Sequence, residues 1–201
     1  MKRVLVVGAS GLLGRSICEA LSNTADVVQA SRSGSPEKVD ISDPASISEL
    51  FDRVGPVDGL VCVAGTAPFL PWSALTDDDW ANGLANKLMG QVNLTRKGAP
   101  FLRDGGAIVL TSGLLSEMPM VGSSIMSTIN AAVNAFVRSA ALEISRGVRV
   151  NAVSPGWVAE SMVAMGMDPS PGMPAADIAR IFVGLLDGES NGMTVPAVKA
   201  G

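Results

Sequence analysis

The sequence predicts a single-domain α/β fold with a doubly wound, mostly parallel sheet. Strand-like and helix-length segments alternate along the chain, which implies right-handed βαβ crossovers and a sheet covered on both faces. A glycine-punctuated turn, GASGLLG over 8–14, lies where the first strand gives way to the first helix. At 201 residues the chain has the length of one domain able to bury a sizeable core.

The first strand is expected at 3–7, where Val4, Leu5, Val6 and Val7 form an unbroken apolar run, the pattern of a strand buried on both faces. Gly8 lets the chain turn sharply. Past Ser10, Gly11 would let the backbone approach a phosphate, and Gly14 would let the helix at 12–22 pack close to the strand. The N–H groups of the first helical turn, beginning at Leu12 and Leu13, offer a pyrophosphate free donors and a positive dipole end. A tight turn with no ligand is the other reading of these glycines.

A second strand is expected at 26–30 and a helix at 44–53. Strand 58–63 leads to a helix over 76–101. Strand 106–111, helix 124–145, strand 148–153 and helix 175–187 follow, with a short strand near 193–195. Segment 158–174 contains Gly166, Pro169, Pro171, Gly172 and Pro174 and reads as a loop, either a lid over a cleft or a plain connection. There is no internal repeat.

The 15 Lys and Arg residues against 19 Asp and Glu give a net charge of −4. That balance argues against nucleic acid or an anionic membrane as the main partner. No apolar run approaches the length of a membrane span. The first strand is expected within the first few residues, so no leader is expected. Cys18 and Cys62 have no metal-type spacing. They read as free thiols of a cytoplasmic protein, with no metal expected.

Six segments in order carry a resemblance: GASGLLG (8–14), Asp40 in KVDISDPASI, CVAG (62–65), AIVLTSG (107–113), NAAVNAFVRSAALEI (130–144) and RVNAVSPGWV (149–158). From Lys2 to about Asp187 the chain resembles the short-chain dehydrogenase/reductase family. The resemblance implies a Rossmann fold and a nicotinamide dinucleotide. It places Asp40 and Ile41 at the adenine, Ala64 and Gly65 in the segment after the fourth strand, and Pro155, Gly156 and Val158 near the nicotinamide. It also places a catalytic serine at the end of the 107–113 strand.

The departures from the family pattern bear on chemistry. Family members begin the long helix with a Tyr and a Lys four residues apart. The phenol moves the substrate proton, while the lysine lowers the phenol's pKa and holds the ribose. Here those positions are Met126 and Asn130, and the chain has no tyrosine and no histidine. The serine triplet reads Thr111-Ser112-Gly113, so Ser112 is adjacent to the expected position. The family asparagine of the preceding helix falls on Lys87, by spacing from Trp80 and Gly90. The middle glycine stands at 11 rather than 12, as in extended and atypical branches.

Hydride transfer to a carbonyl needs a proton for the developing alkoxide. The candidates are Lys87, Ser112 and water. A lysine partly buried beside a cofactor acts as acid or clamp; a solvent-facing helix lysine is the alternative. Ser112 either binds a substrate oxygen at the strand's carboxyl end or caps a turn. Asn130 either reaches a ribose or satisfies local backbone groups.

Dinucleotide preference is read at the end of the second strand. An NAD site puts a carboxylate there. Ser31 and Arg32 stand there instead, and a guanidinium matches a 2′-phosphate. NADP (NADPH) is the expected cofactor, with an exposed loop arginine as the plainer alternative. Seven of the ten methionines lie between Met118 and Met173. With Phe69, Trp72 and Trp157 they suggest an adaptable apolar pocket, or in part ordinary core residues.

Helix 124–145 is apolar or small on more than one face, so one side is expected against the sheet and another against a second copy. A homodimer or homotetramer through helices 76–101 and 124–145 is expected. The leading functional reading is an NADP-dependent oxidoreductase with an altered catalytic set, acting on a small, mostly apolar carbonyl or activated alkene. A non-redox lyase, isomerase or cyclase on the same fold is a rival. So is a catalytically inactive NADP-binding sensor or scaffold.

Overall fold

The computed structural model describes residues 1–199. Seven strands form one sheet in the order β3-β2-β1-β4-β5-β6-β7, and every neighbouring pair is parallel. They are β1 (Lys2–Val7), β2 (Ala25–Ser31), β3 (Glu37–Lys38), β4 (Val57–Cys62), β5 (Leu102–Thr111), β6 (Arg149–Pro155) and β7 (Thr194–Ala197). The strand order reverses between β1 and β4, and an open α/β sheet leaves its ligand crevice at such a reversal.

Successive side chains of a strand face opposite sides, and the two layers of core follow that rule. Leu5, Val7, Leu60, Cys62, Ile108 and Leu110 enter one layer. Helices α2 (Pro44–Val54), α4 (Gly90–Gly98) and α5 (Ser124–Glu143) cover it, and Phe51 of α2 stacks on Phe101 with ring centroids 5.3 Å apart. Val4, Val6, Val61 and Val109 enter the other layer against α1 (Leu12–Leu21) and α7 (Ala175–Asp187), whose Ile17 and Phe182 are fully buried. Among the described residues no helix is long and apolar enough to cross a membrane.

The structure corrects the expected elements in three places. The helix expected over 76–101 divides into α3 (Asp77–Gly83), a π-helical stretch (Leu84–Met89) and α4, and a 3₁₀ turn closes it at Ala99–Phe101. Thr76 and Asp79 start α3 with a reciprocal capping box, which satisfies two of its free N–H groups. The segment expected as a loop over 158–174 contains α6 (Ala159–Ala164). Met162 of α6 is buried, and both carboxylate oxygens of Glu160 accept from the Ala175 amide, at 3.1 and 3.0 Å. The short β3 was not expected. It is held by two residue pairs with β2.

Candidate functional site

The turn after β1 is shaped by close backbone approaches. Gly8 has φ +92°, and a Cβ there would stand 2.7 Å from the amide nitrogen of Ala64. A Cβ on Gly14 would overlap the carbonyl oxygen of Gly8, so this glycine lets α1 sit directly on the turn. Gly11 caps α1 with no side-chain cap, and the first turn has no acidic residue. The early N–H groups at Leu12 and Leu13 therefore keep the open donors of a helix start. Arg15 donates to the carbonyl of Ser10 and braces the turn from outside.

A cavity of about 270 Å³ opens above this turn at the strand-order reversal. Gly8, Ser10 and Gly11 form its floor, and Ser31 and Arg32 at the end of β2 form one wall. Asp40 and Ile41 close a second side, and Ala64 and Gly65 after β4 close a third. Ser31 is buried, its hydroxyl donating to the Ser33 carbonyl and paired with the Ser35 hydroxyl. That tight turn leaves the neighbouring Arg32 exposed at the rim. Ser42 donates to Asp40 Oδ1 through its hydroxyl (2.6 Å) and its amide (2.9 Å). These bonds, with a smaller contribution from Arg32, hold the Asp40 carboxyl below the usual carboxylate range.

Lys87 lies behind this wall, in the π-helical stretch. π-helical turns recur at functional sites. Lys87 is 6% exposed, which removes the solvent-facing reading. Its stem packs on Gly65, whose φ is +115° and whose Cβ would come 3.0 Å from Lys87 Cα and Cγ. Among the described residues no carboxylate pairs with its ammonium. Burial pushes that ammonium down from 10.5 to about 8, opposed in part by Cys62. Burial also pushes the Cys62 thiol up to about 12, so it stays a neutral thiol near neutral pH.

Ser112 and Asn130 meet each other away from the cavity wall. Ser112 is buried, and its hydroxyl donates to the Asn130 carbonyl at 3.1 Å. Asn130 is also buried, its amide nitrogen lies 2.6 Å from where a Cβ on Gly113 would stand, and its Oδ1 has no partner. Pro155 and Gly156 end β6 and Val158 caps α6; none of the three lines the 270 Å³ cavity. Met126 is half-buried on the first turns of α5.

The methionine and aromatic set divides. Trp72 and Met120 line an apolar groove with Pro71, Pro119 and Val121. Met173 lines a separate one with Ala159, Pro174 and Val198, and Met162 belongs to the core.

Several cavity residues escaped the sequence reading. Thr66 and Asn86 line the cavity, and Asn86 Oδ1 accepts from the Thr66 amide at 2.9 Å. Their positions, directly after Gly65 and before Lys87, were the available signal. Among the described residues no cluster of three or more His, Cys, Asp or Glu could hold a metal ion.

A family model described as enoyl-(acyl carrier protein) reductase matches residues 12–194. A Mycobacterium tuberculosis protein named (5R,7aS)-5-hydroxy-7a-methyl-1-oxo-2,3,5,6,7,7a-hexahydro-1H-indene-carboxyl-CoA reductase is 32% identical, over 77% of this chain. The chain spans 63% of that reductase's length. Among solved structures, the Listeria innocua protein lin1944 is 36% identical, with a TM-score of 0.94 over 98% of this chain and 100% of that one. A small-chain dehydrogenase in complex with NADPH is 29% identical, with a TM-score of 0.86 over 98% and 97%.

Proposed function

The chain belongs to the short-chain dehydrogenase/reductase family, and from that premise we propose that it is an NADP-dependent enzyme reducing the carbonyl or activated double bond of a small, mostly apolar substrate. One observation carries the reading: a single cavity at the strand-order reversal joins the glycine turn, Arg32 and Asp40 on its walls, with buried Lys87 directly behind Gly65. The NADPH held by a structural neighbour and the reductase name of the mycobacterial relative support it.

The residues fit a dinucleotide on their own geometry. The uncapped start of α1, free of acidic side chains, suits a pyrophosphate. Arg32 offers a planar fork to a ribose 2′-phosphate, and Asp40 offers an ionised acceptor for an adenine amino group. When bound, the nicotinamide supplies a hydride to the electrophilic carbon of the substrate. The substrate atom that gains charge then needs a proton. Lys87 holds one on a buried ammonium whose pKa stands close to working pH. The Ser112 hydroxyl has its proton engaged by Asn130, and the Met126 thioether has none to give. Lys87 is therefore assigned as the acid, and Ser112 binds a substrate oxygen only by releasing Asn130. Exposed Trp72, Met120 and Val121 favour an apolar substrate.

The test is NADPH turnover with a panel of ketones and activated alkenes, followed by loss of reduced-nicotinamide absorbance. Substrate conversion without NADPH oxidation would turn the reading to the non-redox rival. Tight NADPH binding with no turnover would turn it to the sensor. We also propose that the protein self-associates through α4 and α5. Exposed Ala131, Ala135 and Leu142 lie along one side of α5, and Leu142 is 88% exposed.

A further inference from the structure

We infer that Gln91 is a positioning residue which clamps the backbone of Lys87 to the end of β5, and so fixes where the Lys87 side chain stands behind Gly65. The inference rests on the role assigned to Lys87 above.

Gln91 is 0% exposed, and its side-chain amide is fully engaged. Nε2 donates to the Lys87 carbonyl and to the Thr111 carbonyl, both at 3.0 Å, and Oε1 accepts from the Thr111 amide at 2.8 Å. The need for this clamp comes from the sheet. The last pair between β4 and β5 is Val61 with Val109, and β4 turns away after Cys62 toward Gly65. Thr111 therefore reaches past β4 while still paired with Val153 of β6, and its backbone donor and acceptor on the β4 side must find other partners. Gln91 supplies both, standing in for a strand residue. The Thr111 hydroxyl adds a bond to the Cys62 carbonyl at 2.6 Å.

The same amide also holds a carbonyl of the π-helical stretch. Lys87 lies in the π-helical stretch, four residues before Gln91. A hydrogen bond from the Gln91 side chain ties that carbonyl to β5. The Thr95 hydroxyl in turn donates to the Gln91 carbonyl at 3.0 Å, and Gly90 lets the helix lie on Ile41, where a Cβ would come 2.9 Å from Ile41 Cδ1. Gln91 thus ties the helix bearing Lys87 to the β5 end before Ser112, and the Thr111 hydroxyl carries the link on to the β4 end before Ala64.

The experiment uses Gln91→Met, which keeps length and removes the hydrogen bonds, and Gln91→Glu, which keeps shape and removes the donors. Labelled lysine side chains in the cofactor-free protein are titrated by NMR, and kcat and KM for NADPH turnover are measured against pH. Released from its clamp, the Lys87 side chain gains exposure to water, so its titration moves up toward the ordinary lysine range in both variants. The kcat falls by roughly 10- to 100-fold, as about 1 Å of misplacement produces, with the cofactor KM nearly unchanged. A folded Gln91 variant with wild-type lysine titration overturns the inference, whatever its kcat. If Gln91→Met does not fold, Gln91→Glu decides by the same readout. Lys87→Met with undiminished turnover would overturn the Lys87 assignment and this inference with it. A Lys87→Met defect beside unaltered Gln91 variants would overturn this inference alone.

Discussion

A Cβ placed on Gly65 would stand 3.0 Å from Lys87 Cα: the cavity wall and the buried lysine are in contact through a position that has no room for a side chain. Gly65→Ala meets backbone there, at a φ of +115° that L residues rarely adopt. The variant should lose on the order of 1–3 kcal/mol, read from urea denaturation, and should bind NADPH more weakly by titration calorimetry.

Burying an unpaired ammonium sets a pH dependence with a definite sign. The Lys87 ammonium titrates at 10.5 in an ordinary setting and at about 8 in the folded protein. Between those values the unfolded chain holds a proton that the folded protein has released, so stability rises with pH across that window. Below about 8 the folded state carries the full penalty, on the order of 3 kcal/mol for a shift of this size. Cofactor-free Lys87→Met should therefore be more stable than wild type at pH 7. The advantage should shrink as pH rises toward 10.5, as denaturation midpoints across pH will report. Wild-type turnover should decline above pH 8 as the acid is lost.

Arg32 stands exposed at the cavity rim. Arg32→Ala should weaken NADPH binding by about 10- to 100-fold, the range of a charge-assisted hydrogen bond, and leave NADH binding nearly unchanged. Thermal shift with the two nucleotides measures this. An equal loss for both would contradict a 2′-phosphate contact.

Met126 is half-buried on the first turns of α5, at the position of the family tyrosine. Met126→Tyr adds a phenol at the start of α5 and should raise kcat by roughly tenfold or more, since a positioned general acid contributes at least that much. Steady-state kinetics on the best substrate of the panel is the measurement.

Ala135→Arg and Leu142→Arg place charge on the exposed side of α5. Each should lower the mass seen by light scattering to that of a monomer, with the circular dichroism spectrum kept.

The parts of the site readable from sequence were those set by local backbone. Gly8, Gly11 and Gly14 follow an apolar strand directly, Arg32 follows β2 by one residue, and Asp40 is legible only through the resemblance of its segment to the family. The clamp around Lys87 could not be read, because its partners are distant in sequence: Gln91 meets Thr111 twenty residues on, and Thr66 meets Asn86 across the same gap. The π-helical stretch was hidden for a related reason. LANKLM has ordinary helix formers, and its widening comes with contacts to Gly65 and β5 made only in the folded chain. The α6 helix lay inside a Pro- and Gly-rich stretch, where Glu160 gains its place only by meeting the start of α7.

The widened turn at Leu84–Met89 also changes what residue number means along this helix. An α-helix turns by about 100° per residue, so one residue more or fewer in that turn rotates everything after it. Before the turn, Gly83 packs on Ile125 and Ile129 of α5; after it, Gly98 packs on Phe51 of α2 and Leu60 of β4. Deleting a single residue between them would swing Leu94 and Gly98 off their seats while leaving every side chain type intact. In this helix the site is written in spacing as much as in chemistry.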